Sequence, residues 1–394
     1  MLLLAAAARA QSLAPRALFV DDRGAELFDT EGAEGGIRAG GFEVRAAAGL
    51  SYGVDSNVYA LPDAGDAEGV ATGEAMLRAD NHSSTRDLLA LGFVRAQRYE
   101  NARDQDATEY GALARYDGWL NPQNRLIAGV SAERDVESRN DIETPTSIAL
   151  SPYDDLRAAV THAHLFNRFA LETRLDARRL QYDAPGQEFR DRSQYRGELR
   201  GSYQLRSDLS WVVTGYFNRD EFDDPSPNAM SADTSGGLVG LSFDVNELVE
   251  LELGAGYFER RYDDTAGPLD GVALRGALLW HPTRLTTVRA LALRTDAPTR
   301  IEGAFAKVRN DVSLQLTHEY SRNLLLHAGA RFIADDFATV DRVDTAWIGE
   351  LGMTWAFGRH SVLRFVYDFG TRDSETPGRS FDRHVANLAY IARL

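Results

Sequence analysis

A strict alternation of apolar and polar residues runs through most of this chain and constrains its fold more than any other feature. Segments of about 9 to 14 residues with this alternation follow one another from Gly41 to Leu394. In the first of them, one face carries Phe42, Val44, Ala46, Ala48, Leu50 and Tyr52, and the other carries Glu43, Arg45, Gly49 and Ser51. A side-chain period of two is that of a β-strand, since a helix would mix these faces. The chain is therefore predicted to be all-β.

Hydropathy excludes a helical membrane protein but leaves a membrane barrel open. Hydrophobic residues make up 44% of the chain and charged residues 26%. No stretch approaches the roughly 20 apolar residues that a spanning helix needs. The strands of a membrane barrel alternate between lipid-facing and lumen-facing residues, so their average hydropathy stays near neutral.

The connections between the predicted strands alternate in length. The short ones are Asn81-His82-Ser83-Ser84, Asn121-Pro122-Gln123-Asn124, Phe166-Asn167-Arg168, Arg206-Ser207-Asp208, Asn246-Glu247, His281-Pro282-Thr283-Arg284, Tyr320-Ser321-Arg322-Asn323 and Phe357-Gly358-Arg359-His360. The long ones are at 54–70, 99–106, 135–155, 183–192, 219–234, 259–271, 295–303, 334–344 and 370–382. Both ends of the chain then fall on the short-turn side. This pattern predicts a transmembrane antiparallel up-and-down β-barrel of about 18 strands, with short periplasmic turns and long outer loops.

Two soluble β-folds are weaker alternatives. A β-sandwich also alternates apolar and polar residues, but it does not require alternating short and long connections over the whole chain. A propeller or β-solenoid would repeat a motif in each unit, and no such motif recurs here.

The inward faces of the predicted strands carry both signs of charge. An arginine at the bilayer mid-plane costs roughly 2–4 kcal/mol on a lipid-facing position, so these residues are predicted to line the lumen. They are Glu43, Arg45, Arg78, Arg115, Glu172, Arg174, Asp176, Arg178, Arg196, Glu198, Arg200, Arg275, Arg309, Glu350 and Arg364, with Glu74, Asp80, Glu109, Asp117, Arg125, Glu133, Asp244, Glu252, Lys307, Asp311, Arg331 and Asp368. They indicate either a conduit for a hydrophilic solute or a self-neutralising network that closes the barrel.

Two strands have no clear inward face. In residues 86–99 either Leu88, Ala90, Gly92 and Val94 or Leu89, Leu91 and Phe93 fit a lipid-facing set, and residues 156–166 are similarly ambiguous. Aromatic residues near predicted strand ends indicate interfacial girdles. They are Tyr52, Tyr59, Tyr99, Trp119, Trp211, Phe217, Tyr257, Trp280, Trp347 and Trp355.

The first 40 residues differ from the rest. Residues 1–10 form a short apolar run that ends in Ala8-Arg9-Ala10, and we predict a truncated signal peptide there. Residues 11–40 are polar and rich in glycine, and are predicted to be a mostly irregular periplasmic or plug segment. The barrel is then predicted to comprise residues 41–394.

Several functional classes are disfavoured. A net charge of -16 argues against nucleic acid as a partner, and the absence of cysteine removes thiolate chemistry. His162 and His164 share a strand face without an evident third ligand, and no nucleophile motif is present. Acidic loop residues do not match a calcium loop and are predicted to be a solvated exterior. They are Asp135, Glu137, Asp141, Glu143, Asp220, Glu221, Asp223, Asp224, Asp335, Asp336, Asp341 and Asp344. We therefore expect no enzyme, cofactor or metal site.

One short motif resembles a known family. The segment from Tyr52 to Tyr59 contains Asp55-Ser56-Asn57-Val58 and resembles the hallmark of the putative β-barrel porin 2 family. The resemblance implies an outer-membrane barrel of Gram-negative bacteria with a porin-like role, associated with exopolysaccharide production. The motif residues themselves are predicted to be structural, because Asp and Asn readily cap turns.

These inferences lead to one functional expectation and two alternatives. The first is an outer-membrane channel for a hydrophilic solute, which we expect to be an exported exopolysaccharide. The alternatives are a nutrient-uptake diffusion porin and a closed barrel that acts through its acidic loops. The expected partners are outer-membrane lipid and lipopolysaccharide and, by resemblance, a periplasmic polysaccharide-export protein. The last strand, with Leu388, Tyr390, Ala392 and Leu394 on one face, resembles the signal that the barrel-assembly machinery recognises.

Overall fold

The computed structural model describes residues 36–63, 65–140, 150–225, 230–245, 248–263, 267–299, 304, 306–338 and 340–394. Within these ranges the chain forms β-strands and a few short turns of 3-10 helix, including Arg103–Gln105 and Glu188–Arg190. None of the described helices has the length and apolar character needed to span a membrane. The predicted signal peptide at 1–10 and residues 11–35 of the segment predicted at 11–40 lie outside the described residues.

Nineteen strands account for the architecture. In chain order they are β1 (Ile37–Ala39), β2 (Phe42–Asp55), β3 (Glu68–His82), β4 (Arg86–Tyr99), β5 (Ala107–Asn121), β6 (Asn124–Val136), β7 (Pro152–Phe166), β8 (Phe169–Tyr182), β9 (Arg192–Arg206), β10 (Leu209–Phe222), β11 (Ala232–Val245), β12 (Val249–Tyr262), β13 (Leu269–Thr283), β14 (Thr286–Pro298), β15 (Ala306–Ser321), β16 (Leu324–Phe337), β17 (Val343–Gly358), β18 (Ser361–Ser374) and β19 (Phe381–Arg393).

Strands β2 to β19 form a closed barrel. Each pairs antiparallel with its neighbours in sequence, and β19 pairs with β2 with Leu388 opposite Tyr52. The predicted antiparallel barrel of 18 strands is confirmed. Closure removes the free strand edges that would otherwise invite aggregation.

The short strand β1 folds back on the start of β2, with Ile37 opposite Val44. The turn uses Gly40 and Gly41 at φ 57 and 88, a left-handed region that glycine enters without strain. Strand β19 pairs with β2 only from Ala47 onward, so β1 pairs with β2 residues for which β19 supplies no partner. Part of the segment predicted to be irregular is therefore a strand.

The connections alternate as predicted, with eight short turns at one end of the barrel and nine longer loops at the other. The turn predicted at 246–247 lies outside the described residues, as do Asp141 and Glu143. The strands extend further into the loop end than the sequence indicated. As a result Asp220, Asp335 and Asp344 are buried on strands rather than solvated in loops. Their prediction as part of an acidic exterior was wrong, because each is held inside by an arginine or lysine.

The outward face of the barrel is an apolar band. Leu50 on β2 is 74% exposed, whereas its neighbours Gly49 and Ser51 face inward. The same pattern recurs around the wall at Leu77, Val130, Leu156, Leu175, Leu199, Val239, Leu253, Leu274, Leu314, Trp347, Leu351 and Leu388. A continuous band of exposed large hydrophobic side chains marks a surface that meets another apolar phase.

The two ambiguous strands adopt a single alternation each. On β4, Leu91 is buried inside the barrel and Leu89 and Phe93 pack beside it, whereas Ala90 and Val94 face outward. Leu91 belongs to an apolar cluster, against which Leu89 and Phe93 pack; the cluster comprises Ala47, Met76, Leu91, Leu113, Val362, Ala389 and Ile391. Apolar side chains thus fill the interior beside the β19–β2 closure.

On β7, His162 and His164 face outward and both contact the side-chain oxygen of Asn124, at 3.0 and 2.7 Å.

Three of the aromatic residues predicted for the girdles lie elsewhere. The Tyr99 hydroxyl points inward toward Asp55, and Trp119 shares the inward face with Arg125, whose guanidinium lies 6.0 Å from its ring centre. Tyr59 lies in the first loop and donates to Asp104 at 2.9 Å. These rings are inward or loop residues because the strand register, not proximity to a strand end, sets their face.

Arginines on the outer rim join successive hairpins. Each arginine bonds an aspartate that lies just past the end of a strand, two strands further along the chain. The pairs are Arg134 with Asp183 at 2.5 Å, Arg179 with Asp223 at 2.5 Å and Arg219 with Asp263 at 2.7 Å. The hydrogen bonds from Arg179 and Arg219 lower the pKa of the Asp223 and Asp263 carboxyls respectively.

Acid is expected to weaken these rim pairs. Because the folded-state pKa values lie below the unfolded value of about 3.9, the stabilisation is present above that value and is lost as the pH falls through the folded values. The pairs are exposed, so each contributes at most about 1 kcal/mol. We expect the melting temperature of the wild type in detergent to exceed that of R179Q/R219Q slightly at pH 6, and the gap to close at pH 2 or in 1 M NaCl. A gap that persists under both conditions would contradict the electrostatic origin.

Candidate functional site: a basic constriction in the lumen

The residues predicted to line the lumen all lie on the face opposite the apolar band. The register aligns Glu43 with Asp80, Arg45 with Arg78, Arg174 with Glu198 and Asp176 with Arg196. The full set on this face is Glu43, Arg45, Arg78, Arg115, Glu172, Arg174, Asp176, Arg178, Arg196, Glu198, Arg200, Arg275, Arg309, Glu350 and Arg364. The barrel interior is therefore charged on most of its strands.

Many of these charges are paired within the wall. Arg45 and Arg78 both reach Asp80 at 2.8 Å, and Arg115 reaches Asp117 at 3.0 Å. Glu43 lies 3.7 Å from Arg45, so two carboxylates balance the two arginines beside Asp80. These pairs fit the predicted self-neutralising network at the short-turn end.

Other pairs cross between strands that are not neighbours. Arg200 on β9 bonds Glu252 on β12 at 2.5 Å, and Arg275 on β13 lies 3.6 Å from Glu198 on β9. Arg260 on β12 joins Asp220 on β10 and Asp296 on β14. Side chains that meet across one to three intervening strands occupy interior space, so they narrow the lumen along β9 to β14.

Toward the long loops the interior opens into a cavity of about 700 Å³, which we call the basic cavity. Its walls come from both sides of the barrel. Its charged lining residues are Arg95, Arg139, Arg178, Arg192, Arg196, Lys307, Arg309 and Arg383 against Glu109, Asp135 and Glu137. Of the residues that the structure describes, eight basic ones thus face three acidic ones in a chain whose net charge is -16.

The carboxylates that balance these cations lie behind them. Asp335 is fully buried and accepts from both Lys307 and Arg309 at 2.7 Å, yet only the two cations line the cavity. In the same way Arg178 lines the cavity, and it bonds Asp155, which does not line it, at 2.7 Å. The arrangement fixes the cations in place and presents their charge to the lumen.

Two further cations, Arg192 and Arg196, line the cavity without an ion pair to a described residue, although Asp176 lies across from Arg196 on the neighbouring strand. Among the described residues, no carboxylate oxygen lies within ion-pair distance of Arg192 or Arg196. Arg192 donates to the Arg190 carbonyl at 3.2 Å and lies 5.5 Å from the Phe222 ring centre. An arginine keeps its proton even where protein surrounds it, so Arg192 remains a positive charge in the wall.

Residues 137–140, at the start of the loop between β6 and β7, fold into the lumen; we call them the inserted segment. Glu137 accepts from Arg190 at 2.6 Å, and Arg139 donates to Gln105 at 2.7 Å. Asn140 reaches β18, six strands around the barrel from β6: its side-chain oxygen would lie 2.8 Å from a Cβ added at Gly370. Burial lowers the pKa of Arg139, and the nearby positive charge of Arg383 lowers that pKa further. The inserted segment thus crosses the lumen as a bar.

The anchor of this bar is Arg190, which is almost completely buried. Its guanidinium lies 3.6 Å from the Tyr182 ring centre, a cation–π contact, and it also donates to Gln187 at 2.9 Å. One end of the bar is therefore held by a charge that has several partners.

The Asp55-Ser56-Asn57-Val58 motif lies where β19 closes onto β2. Asp55 is fully buried and accepts from Arg383 on β19 at 2.5 Å, and it also accepts from the Tyr99 hydroxyl at 3.4 Å. The Ser56 hydroxyl oxygen accepts from the His384 backbone amide at 2.8 Å. Both side chains therefore tie the first strand of the barrel to the last.

Asn57 completes the closure. Its amide donates to the carbonyls of Leu61 and Asp382, at 2.8 and 2.9 Å, and its side-chain oxygen accepts from the Leu61 amide at 3.1 Å. Val58 is buried and lines the basic cavity. The motif is structural in this arrangement, and it places Arg383 at the cavity wall.

The putative beta-barrel porin 2 family model matches residues 31–393. The chain belongs to this family. Its members are porin-like barrels, which are channels rather than enzymes. None of the curated proteins compared with the chain matches it.

The solved structures to which the chain is similar include outer-membrane proteins. The outer membrane protein opdK from Pseudomonas aeruginosa is 10% identical over 89% of this chain and 99% of its own, with a TM-score of 0.46. OpdL from the same organism is 10% identical over 90% and 98%, with a TM-score of 0.44. OccAB4 from Acinetobacter baumannii is 11% identical over 89% and 98%, with a TM-score of 0.44.

Sequence reasoning missed four of the basic cavity residues. Arg192 was assigned to a loop, although it continues the inward alternation of Arg196 and Arg200. Arg95 and Arg383 also follow the inward register of their strands. Arg139 lies in a loop, where no periodicity could have indicated that it enters the lumen.

Proposed function

We propose that this family member is a passive outer-membrane channel for hydrophilic solutes. The observation that carries the proposal is a closed barrel with an apolar outer band and an inner cavity whose charged lining residues come from strands on both sides. Ionised side chains are not retained against lipid, so the lining favours a water-filled path. The family and the fold support a Gram-negative outer membrane as its location, with lipid and lipopolysaccharide against the apolar band.

The finer part of the proposal concerns what passes. The family resemblance favours an exported polysaccharide, handed over by a periplasmic export protein. The basic cavity is also lined by Tyr99, Tyr153 and Tyr182 and by Gln97, Gln105 and Gln194. These polar and aromatic groups suit a hydroxyl-rich solute. Uptake of a small nutrient by diffusion is the alternative, and it uses the same lining.

Conductance in a planar bilayer tests the channel. Refolded protein is expected to produce discrete current steps that scale with salt concentration, because ions cross the charged lumen. Protein unfolded by boiling before addition is the control. A flat current at all voltages would contradict an open channel.

Direction of transport is tested in the native host. If the channel exports polysaccharide, a deletion strain is expected to retain the polymer in the periplasm and lose it from the medium. Normal secretion with slower growth on one carbon source would instead favour uptake.

A further inference from the structure

We propose that the basic cavity binds carboxylate groups and makes the channel select anions. This inference rests on the proposed channel function and adds the chemical class of the solute. It concerns a charge arrangement that the fold alone does not require, since an 18-stranded barrel closes equally well around a neutral interior.

The sign of the local charge carries the first step. Among the described residues, eight cations and three anions line this cavity, whereas the whole chain has 16 more acidic than basic residues. Acidic residues are thus concentrated away from this part of the lumen. A narrow passage lined by one sign of charge raises the local concentration of the opposite ion.

The depth of the counter-charges carries the second step. Asp335, Asp155 and Asp55 are buried behind Lys307, Arg178 and Arg383 respectively. Arginine offers several N–H donors, and a carboxylate oxygen accepts more than one hydrogen bond. Arg178 and Arg383 can therefore keep their buried partners and still offer a donor to a passing carboxylate.

The unbalanced arginines carry the third step. Arg192 and Arg196 lie four residues apart on β9, so they share its inward face, and both line the cavity. The guanidinium fork matches a carboxylate in two parallel hydrogen bonds. A carboxylate that visits this wall would come within hydrogen-bond distance of two guanidinium groups that no carboxylate of the described residues reaches.

The shared ligand chemistry is a carboxylate on a hydrophilic solute, which either a small organic acid or a chain of uronic acids provides. Aromatic rings and amide groups beside the cations suit either source. The two sources differ in length, so the experiment separates them by oligomer size.

Ion selectivity is the first test. Under a tenfold KCl gradient across a bilayer, the wild-type reversal potential is expected to show preference for chloride. R196Q should lower the anion-to-cation permeability ratio by about twofold, and E109Q, which removes an opposing carboxylate, should raise it. Arg196 is exposed to the lumen, so its replacement does not disturb packing. R359Q, in a short turn outside the cavity, is the matched control and should leave the ratio unchanged.

Block of the current is the second test. Galacturonate and an oligogalacturonate are compared with galactose and a neutral oligosaccharide of equal length. The acidic sugars are expected to reduce the current at lower concentrations than the neutral ones, and R196Q should weaken that block. Block by the monomer alone would indicate a small carboxylate, and stronger block by the oligomer would indicate a chain. Cation preference, or equal block by acidic and neutral sugars, would overturn the anion site while current steps still upheld the channel.

Discussion

Replacing Asp55 with asparagine is expected to destabilise the closed barrel by at most about 3–5 kcal/mol, because it leaves the partly buried Arg383 without its fully buried counter-charge. Asp55 is fully buried, and Arg383 donates to it through two nitrogens, at 3.0 and 2.5 Å. The pair joins β2 to β19, so its loss weakens the one interface formed between distant parts of the sequence. Heat-modifiable migration on a gel measures the effect as a lower temperature at which the folded band disappears.

A compensating variant separates charge loss from local disruption. In D55N/R383M no charge remains uncompensated, so we expect much of the lost stability to return. D87N removes an exposed aspartate at the short-turn end and should leave the transition unchanged. If D55N melted with the wild type, the closure would not depend on this pair.

Much of the fold was predictable because the alternation of residues along a strand shows which side chains share a face. This alternation identifies the inward residues of β2, β8 and β9. Every second connection is a short turn, and that regularity gives the topology. The ends of strands were harder to predict. Asp335 and Asp344 look like loop acids because polar residues signal loops, yet buried cations hold them on strands.

The candidate site was less predictable than the fold, since its geometry depends on the closed shape. The contact between Arg275 and Glu198 joins residues that are far apart in sequence and lie on strands that are not neighbours. Arg139 enters the lumen through its bond with Gln105, from a segment that has no periodic pattern. Periodicity places a side chain on a face but does not say which charges meet across the barrel.

Releasing the inserted segment is expected to enlarge the conductance. In R190A, Glu137 loses the guanidinium that holds it at 2.6 Å, and the cation–π contact with Tyr182 is lost as well. Truncating one partner of a buried charge pair costs about 3–5 kcal/mol, which exceeds what a short loop segment can recover from its remaining contacts. The bar across the lumen should therefore leave its position, and single-channel conductance should rise.

The measurement combines conductance with solute size. A neutral polyethylene glycol lowers the conductance only if it is small enough to enter the pore. The longest glycol that lowers the conductance should therefore be longer for R190A than for the wild type. R179A removes an arginine from the outer rim, outside the lumen, and should change neither quantity. The temperature of the heat-modifiable transition shows whether R190A keeps the barrel closed. A closed R190A barrel with wild-type conductance would mean that residues 137–140 do not set the narrowest point, and the constriction would then lie among the pairs that cross between β9 and β13.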